Sequence, residues 1–183
     1  MFIPNSVTSI AASFVNGCYR LKEISVASDN PVYASLDGAL YTKGLDTLIR
    51  CPERKSSISF SNSIASIGKG AFYRCSYLES VVIGNSVTEI GDDAFSSCDA
   101  IKSIYCKGQV PARGDVGFTD DVLMYAILYV PVGTKAAYEA VDPWQNFRNI
   151  VEIEYEDEDA TGIAAVPVSD GGISVYAPRE VSF

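Results

Sequence analysis

The residues best suited to covalent or metal chemistry are cysteines, in a chain that has no histidine. There are five: Cys18, Cys51, Cys75, Cys98 and Cys106. The lack of histidine excludes Ser-His-Asp and Cys-His catalysis and every zinc site that needs an imidazole ligand. An odd number of thiols excludes complete internal disulfide pairing. Because no C-x-x-C spacing occurs either, we predict no metal site and no cofactor.

Two short motifs resemble those of serine acyl-transfer enzymes. Ser66 and Lys69 form an S-x-x-K, and residues 28–30 form an S-D-N. β-Lactamases and penicillin-binding proteins use both motifs, but in the opposite chain order and with a K-T-G that is missing here. A similar segment 23 residues later carries Glu89 and Asp92 in place of Ser66 and Lys69. We therefore predict that no residue is catalytic and that the chain is not an enzyme.

Acidic residues dominate the charge of this chain, whose net charge is −9 and whose isoelectric point is about 4.4. Without a basic stripe, binding to nucleic acid is not expected. Asp92 and Asp93 precede an Ala-Phe pair, so we expect them in the first turn of a short helix, where negative charge is favourable. The acidic run at 152–159 lacks the glycine-punctuated loop of a calcium site. We interpret it as a solvated strand and linker.

The sequence repeats itself with a period of 23 residues. Residues 64–83 and 87–106 share apolar positions at Ile64/Val87, Ile67/Ile90, Phe72/Phe95, Cys75/Cys98, Leu78/Ile101, Val81/Ile104 and Ile83/Cys106. A third, less regular copy lies upstream, at Val7, Ile10, Cys18, Leu21, Ile24 and Val26. Since Met1 and Ile3 occupy the positions of a preceding strand, we expect the chain to enter halfway along one.

Each copy predicts a short strand followed by a tight turn. Val81 and Ile83 are two residues apart, as side chains on one face of a strand must be. The Ile-Gly-x-x-Ala-Phe-x-x-Cys segment spaces its apolar residues three and four apart, which predicts one helical or 3₁₀ turn. A single copy cannot bury its apolar side, whereas stacked copies share a continuous core. The pattern therefore predicts a right-handed α/β solenoid with parallel strands.

This pattern resembles the leucine-rich repeats of Treponema type found in BspA-like surface proteins of Bacteroides and related bacteria. The best match lies at Leu78, Val81, Ile83, Val87, Ile90, Gly91, Ala94, Phe95 and Cys98. The resemblance covers residues 1–108 with a gap, and it implies a secreted or cell-surface protein with a longer parent chain. It also implies that Cys18, Cys75 and Cys98 fill a packing position. We expect them to be buried free thiols rather than a disulfide.

Two segments interrupt or end the predicted repeats. Residues 27–57 are an insertion, in which strands near 32–36, 39–42 and 47–51 form a small meander turned by Asp37-Gly38 and by residues 43–46. Residues 109–156 follow the end of the period at Cys106 and are predicted to cap the stack. In this cap, Thr134 begins a helix over 135–141 that Pro143 ends, and another strand covers 151–155. The apolar residues available to close the core there are Tyr138, Trp144, Phe147 and Ile150.

The last segment, 157–183, reads as a linker followed by strand-like pieces at 173–175 and 181–183. It loosely resembles the start of a C-terminal β-domain found on secreted Bacteroidetes proteins. The alternative is that these pieces pair within the repeat domain itself. No run of 18 apolar residues occurs, so no membrane span is predicted.

The best functional hypothesis is a binding surface. If the apolar positions of each strand point inward, the residues between them must point outward. The predicted face consists of Glu23, Ser25, Ser57, Ser59, Ser80, Val82, Ser103 and Tyr105. Small polar side chains with one aromatic make an adaptable protein-binding surface. We therefore expect a module that binds a protein or glycan on a host or neighbouring microbe.

Two alternatives remain open from the sequence. One is a structural spacer within a larger surface protein. The other is a carbohydrate-binding accessory domain, which would need a solvent-facing aromatic platform. The tyrosines that could build such a platform are Tyr19, Tyr73, Tyr77 and Tyr105.

Overall fold

The computed structural model describes residues 1–11, 14–15, 18, 20–60 and 62–155, together with the backbone of strands at Ala165–Pro167 and Ile173–Val175. The strands, in chain order, are β1 Phe2–Ile3, β2 Ser25–Val26, β3 Tyr33–Leu36, β4 Ala39–Thr42, β5 Thr47–Arg50, β6 Ser57–Ser59, β7 Ser66–Ile67, β8 Ser80–Ile83, β9 Glu89–Ile90, β10 Ser103–Cys106, β11 Ile127–Pro131, β12 Asn149–Ile153, β13 Ala165–Pro167 and β14 Ile173–Val175. The helices are α1 Asp120–Tyr125, α2 Lys135–Glu139 and a 3₁₀ turn at Trp144–Asn146.

Two sheets form the walls of the solenoid. The front sheet has the strand order β12-β11-β10-β8-β6, and all of its pairs are parallel. The back sheet has the order β3-β4-β5-β7-β9, with β5, β7 and β9 parallel to one another. Parallel pairing follows from the repeat, because each coil returns the chain to the same wall in the same direction. The predicted solenoid of 23-residue coils is confirmed.

The inserted meander is also confirmed. Strands β3, β4 and β5 pair in antiparallel fashion, and β5 then joins β7 in parallel, so the meander extends the back sheet. The first reversal has φ 49° at Asp37 and φ 72° at Gly38. Two consecutive positive φ angles are those of a type I′ turn, which the Asp-Gly pair predicts.

An aromatic column runs through the core between the walls. Phe72 stacks on Phe95 with 4.7 Å between ring centroids, and Phe95 stacks on Phe118 at 5.1 Å. Rings packed edge-on close both ends: Phe60 lies against Phe72, and Trp144 lies against Phe118. Offset stacks and edge-to-face contacts are the arrangements that aromatic quadrupoles favour. The column confirms that equivalent positions of successive coils share one interior.

For the Ile-Gly-x-x-Ala-Phe segment, which was predicted to form one helical or 3₁₀ turn, the structure has 3₁₀-type turns and no α-helix. They are series of i→i+3 hydrogen bonds, such as Ala71 N–H to Gly68 O at 3.1 Å and Cys75 N–H to Phe72 O at 2.8 Å. Asp93 has a φ of 55°, so it is not in a helical first turn. Neighbouring turns bond to each other instead, as Phe72 N–H does to Ala94 O at 2.8 Å. These bonds between coils replace those that a helix would make within itself.

Stacking continues beyond Cys106, although the regular period of the sequence does not. Strands β11 and β12 add to the front sheet in register, and Arg113 forms a parallel bridge with Glu89 in the back wall. Helix α1 lies between Arg113 and strand β11, a place where the earlier coils have only turns. Because strand pairing depends on the backbone, the ladder tolerates the change.

The C-terminal cap closes the core as expected. Tyr138, Trp144, Phe147 and Ile150 are all buried, and the Trp144 indole N–H donates to Ala112 O at 2.7 Å. Helix α2 is shorter than predicted and ends at Glu139. Thr134 precedes it without capping it, because its hydroxyl donates to Pro131 O at 2.7 Å. The predicted strand at 173–175 is present and pairs with β13, whereas residues 157–162 and 181–183 lie outside the described part of the chain.

The N-terminal copy forms its own small core. Strand β1 pairs only with β2 among the described strands, in a separate two-stranded sheet. Ile3, Ile24 and Leu40 are the buried centre of this cluster. Cys18 was expected in the buried thiol column, but it is exposed. The position beside Cys75 belongs instead to Cys51, whose carbonyl oxygen lies 3.8 Å from the Cys75 Sγ.

Candidate interaction surface

The outward side of the front sheet carries two rows of side chains that cross the strands. In the first row, Ser57, Ser80 and Ser103 are in register on β6, β8 and β10. In the second row, Ser59, Val82 and Tyr105 are in register on the same strands. The strand register therefore brings together six of the eight residues predicted for the binding face.

Both rows continue onto strands that were not included in the prediction. The serine row extends to Ile127 and Asn149, and the second row extends to Tyr129 and Val151. Sequence reasoning missed these residues because the exact spacing of 23 ends before β11. The alternating residues of ILYVP and NIVEI do indicate two strands, but they do not determine which residues pair with those of β10.

The serines of the two rows are more exposed than Val82 and Tyr105 of the second row. Ser57 and Ser59 are exposed and Ser80 and Ser103 are half-buried, whereas Val82 and Tyr105 are only 6% and 5% exposed. The expectation that Val82 and Tyr105 face open water is therefore corrected. The Tyr105 ring stacks on Tyr129 at 4.6 Å between centroids, with an interplanar angle of 6°.

Further contacts of this face involve Tyr155, which follows β12. Its hydroxyl donates to Tyr129 O at 3.4 Å, and the Lys107 ammonium lies 6.0 Å from its ring centroid. Burial raises the pKa of the Tyr105 phenol above its ordinary value, while a hydrogen bond with Ser103 opposes the rise. The phenol is thus neutral at physiological pH, and the second row is apolar and aromatic from Val82 onward, with the exposed Ser59 at its β6 end.

Glu23 and Ser25 do not belong to this surface. Ser25 pairs with Phe2 in the two-stranded sheet, which makes no ladder with β6. The physical reason is the insertion: the Val26 N–H donates to Ser35 Oγ at 3.0 Å, and the Ile24 N–H donates to Gly38 O at 2.7 Å. The β3–β4 hairpin therefore takes the backbone contacts that a neighbouring coil would make.

The tyrosines do not form one aromatic platform. Tyr105 is buried in its stack, Tyr73 is half-buried, and Tyr77 is 50% exposed on a turn, away from the front sheet. Tyr19 lies outside the described residues. A carbohydrate site built on the three described tyrosines, Tyr73, Tyr77 and Tyr105, therefore has no support from their arrangement.

The serine motifs have structural roles. Asn30, which ends the S-D-N, is buried and donates through Nδ2 to Pro4 O and Val7 O at 2.8 and 3.0 Å. Its Oδ1 accepts the N–H groups of Val32 and Tyr33. The Lys69 ammonium pairs with Asp92 at 3.4 Å. Neither set forms an acyl-transfer site.

A shallow groove of about 380 Å³ lies on the back sheet. Its lining includes Ser66, Lys69, Glu89 and Arg113, with the backbone of Gly68, Gly91 and Gly114 at its base. Two cations and one carboxylate line it, so its charge selects no single class of ligand. We assign no function to this groove.

A buried ion pair, which the sequence analysis did not identify, lies within the insertion, and its arginine bonds to the first regular coil. Arg50 and Glu53 are each 2% exposed, and their Nη2 and Oε1 atoms are 3.5 Å apart. Arg50 also donates from Nη1 to Gly70 O at 2.7 Å and from Nη2 to Tyr73 O at 2.9 Å. In the next coil, the carbonyl equivalent to Tyr73 O, that of Ser96, accepts a bond from the backbone N–H of Arg74 instead. The Arg50 guanidinium thus replaces donors that a shorter turn cannot supply.

The other cysteines are buried and free. Cys51, Cys75, Cys98 and Cys106 form no disulfide, and the Cys98 thiol donates to Phe72 O at 2.9 Å. Burial raises the pKa of both the Cys98 and Cys106 thiols far above the ordinary range. Such thiols are poor nucleophiles. Among the described residues, no group of three potential metal-ligating side chains is close enough to hold an ion.

The helices in the described part of the chain are too short or too polar to cross a bilayer. Residues 50–125 match the family model described as BspA type leucine rich repeat region (6 copies). No curated protein matches the sequence.

Two solved structures share the fold. A leucine-rich repeat protein from Eubacterium ventriosum is 19% identical with a TM-score of 0.51, over 71% of this chain and 41% of that one. A leucine rich cell surface protein from Faecalibacterium prausnitzii is 24% identical with a TM-score of 0.53, over 83% and 47%. This chain thus spans less than half of either protein. With its stacked coils, the segment 50–125 is a leucine-rich repeat region of the BspA type.

Proposed function

We propose that the chain is a protein-binding module of a secreted or cell-surface protein, and that it binds through the outward side of the front sheet. The observation that carries this proposal is the register of Ser57, Ser80 and Ser103 beside the apolar second row. The serine hydroxyls, exposed or half-buried, offer hydrogen bonds at regular spacing on one rigid surface. Because Val82 and Tyr105 are buried, apolar contact comes from the half-buried Tyr129 and from Val151, which is 41% exposed.

A protein ligand is favoured over a glycan because of the tyrosine geometry. Sugars stack on aromatic faces open to solvent, but the Tyr105 ring lies against Tyr129. The serine row runs across the strands and continues to Asn149 at the edge of the sheet. A partner segment that lies across the coils would meet one hydroxyl on each of β6, β8 and β10.

Support for the location comes from the fold. One structural neighbour is described as a leucine rich cell surface protein, and the family resemblance points the same way. The acidic net charge of −9 opposes a nucleic-acid partner. No catalytic role is proposed, because four of the five thiols are buried and Lys69 is paired with Asp92.

The proposal can be tested by binding the labelled chain to arrays of purified extracellular-matrix proteins and of glycans. We expect signals on protein spots that weaken about tenfold or more in the double variant Ser80→Arg/Ser103→Arg, because two cations would disrupt the serine row. The matched control is Ala65→Arg/Thr88→Arg, which adds the same charge at exposed positions next to the back sheet. Signals confined to glycans would favour the carbohydrate alternative, and no signal at high concentration would favour a spacer.

A further inference from the structure

A second surface combines arginines with tyrosines on the turn edge of the solenoid. The Arg54 guanidinium lies 4.9 Å from the ring centroid of Tyr77, which is 50% exposed. In the same turn, the Arg74 guanidinium lies 5.4 Å from the centroid of Tyr73. Both arginine side chains are exposed. Two cation–aromatic pairs thus lie on the turns of successive coils.

More positive charge borders these pairs. The Arg54 N–H donates to Leu21 O at 3.3 Å, and the exposed Arg20 and Lys22 flank Leu21 in the chain, with the exposed Glu23 following Lys22. Lys55 is paired with Asp37, and the Arg50–Glu53 pair beneath is neutral as a whole. We call the set Arg20, Lys22, Arg54, Tyr73, Arg74 and Tyr77 the arginine–tyrosine patch.

The patch contrasts with the rest of this edge. The turns of the following coils expose Asp92, Asp93, Asp99 and Asp115, and the whole chain has a net charge of −9. Positive charge is therefore concentrated at the N-terminal end of the edge, and an acidic partner would be attracted there and repelled farther along. Such a field orients a partner as well as attracting it.

We propose that the arginine–tyrosine patch is a docking surface for an acidic protein segment, separate from the front sheet. The Arg54 guanidinium, which stacks on Tyr77, can present its N–H edge for two-point bonding to a carboxylate, and Arg74 adds positive charge beside it. Arginine and tyrosine are also the residues most enriched at the energetic centres of protein interfaces. The half-exposed Tyr77 ring adds an apolar contact, which favours a peptide with apolar side chains over a polysaccharide held by charge alone.

The test is fluorescence anisotropy of the full chain with two probes: a short glutamate-rich peptide that contains leucines, and a heparin oligosaccharide. We expect salt-sensitive binding of the peptide, which weakens about tenfold or more in Arg54→Glu/Arg74→Glu. The control is Arg113→Glu/Arg148→Glu, which makes the same change in net charge at exposed positions outside the patch. We expect it to change the affinity by less than about twofold.

A second pair of variants tests the aromatic contact. Tyr77→Ala should weaken peptide binding several-fold, whereas Tyr125→Ala, at a tyrosine that is 75% exposed, should leave it unchanged. Thermal melting of each variant verifies folding. Equal losses in test and control variants, no binding at low salt, or binding of the heparin probe alone would overturn the proposal. Because the front-sheet variants leave the patch intact, the two proposals can fail independently.

Discussion

Replacement of Arg50 by methionine is the most informative perturbation of this fold. Arg50 makes two part-buried hydrogen bonds to carbonyl oxygens of the next coil and a buried ion pair with Glu53. Methionine keeps much of the side-chain length and volume but removes the charge and every donor. The variant Arg50→Met therefore tests the polar contacts with little change in packing.

The expected magnitude follows from these contacts. Removal of one partner from a buried ion pair costs about 3–5 kcal/mol, because the remaining charge is left without compensation. Each hydrogen bond from a charged donor contributes about 1.5–3 kcal/mol, and part of that loss is included in the first figure. We expect Arg50→Met to lower the free energy of unfolding by about 3–5 kcal/mol, a large share of the stability of a typical domain.

The double variant Arg50→Met/Glu53→Gln separates charge from hydrogen bonding. Glutamine is neutral, so it removes the uncompensated carboxylate that Arg50→Met leaves behind. We expect the double variant to be more stable than Arg50→Met by about 1 kcal/mol or more, within the coupling range of contacting residues. Urea unfolding followed by circular dichroism gives the free energies of unfolding of the wild type, of Arg50→Met and of the double variant.

The dependence on pH provides an independent readout. Burial raises the pKa of Glu53 above its ordinary value, although Arg50 and then Arg74 oppose the rise. A carboxyl with a raised pKa binds its proton more tightly in the folded state, so its contribution to stability falls as pH rises from about 4.3 through the folded pKa. The wild-type chain should therefore lose stability relative to Glu53→Gln over this window, and the loss should be steeper in the Arg50→Met background.

The reasoning would be refuted by a loss below about 1 kcal/mol in Arg50→Met, or by a double variant no more stable than that single variant. The control is Arg113→Met, at an exposed cation, which should change stability by less than about 0.5 kcal/mol. A loss in the control as large as that in Arg50→Met would assign the effect to net charge instead.

Three other predictions concern the repeat itself. Gly91→Ala should destabilise the fold by more than about 1 kcal/mol in urea unfolding, because its Cβ would lie 2.4 Å from the backbone nitrogen of Lys69. Gly44→Ala, whose Cβ would have only ordinary contacts, should be nearly neutral. Phe95→Ala, at the centre of the aromatic column, should cost about 3–5 kcal/mol, and a loss below that of Phe60→Ala at the end of the column would contradict the stacking. A thiol-reactive disulfide should label Cys18 in the native chain and the four buried cysteines only after unfolding, because thiolate formation requires exposure; rapid native labelling of more than one thiol would disprove their burial.

The spacing of the sequence was enough to establish the interior. Phe72 and Phe95 occur at the same place in successive coils, so they were predicted to meet, and their rings do stack. The meander could likewise be predicted, because an Asp-Gly pair between apolar runs specifies a hairpin locally. The serine row was predictable as far as β10, since strands that recur at the same spacing in the sequence pair in register. It could not be followed onto β11, where the exact repeat had ended.

Other features depended on which elements became neighbours. Cys51 replaced Cys18 in the thiol column because the insertion supplied the preceding coil, whose shorter turn alters the spacing. Glu23 and Ser25 left the predicted face for the same reason, and the stack on Tyr129 determined the surroundings of Tyr105.

The sequence by itself therefore determined the coil, its inward residues and the hairpin, because these follow from local periodicity and turn chemistry. Only the tertiary structure decided the partners of Arg50, the extent of the front face and the position of the arginine–tyrosine patch. The physical reason is that a repeat fixes the geometry within and between identical coils, whereas an insertion or a cap changes which groups remain to be bonded or covered.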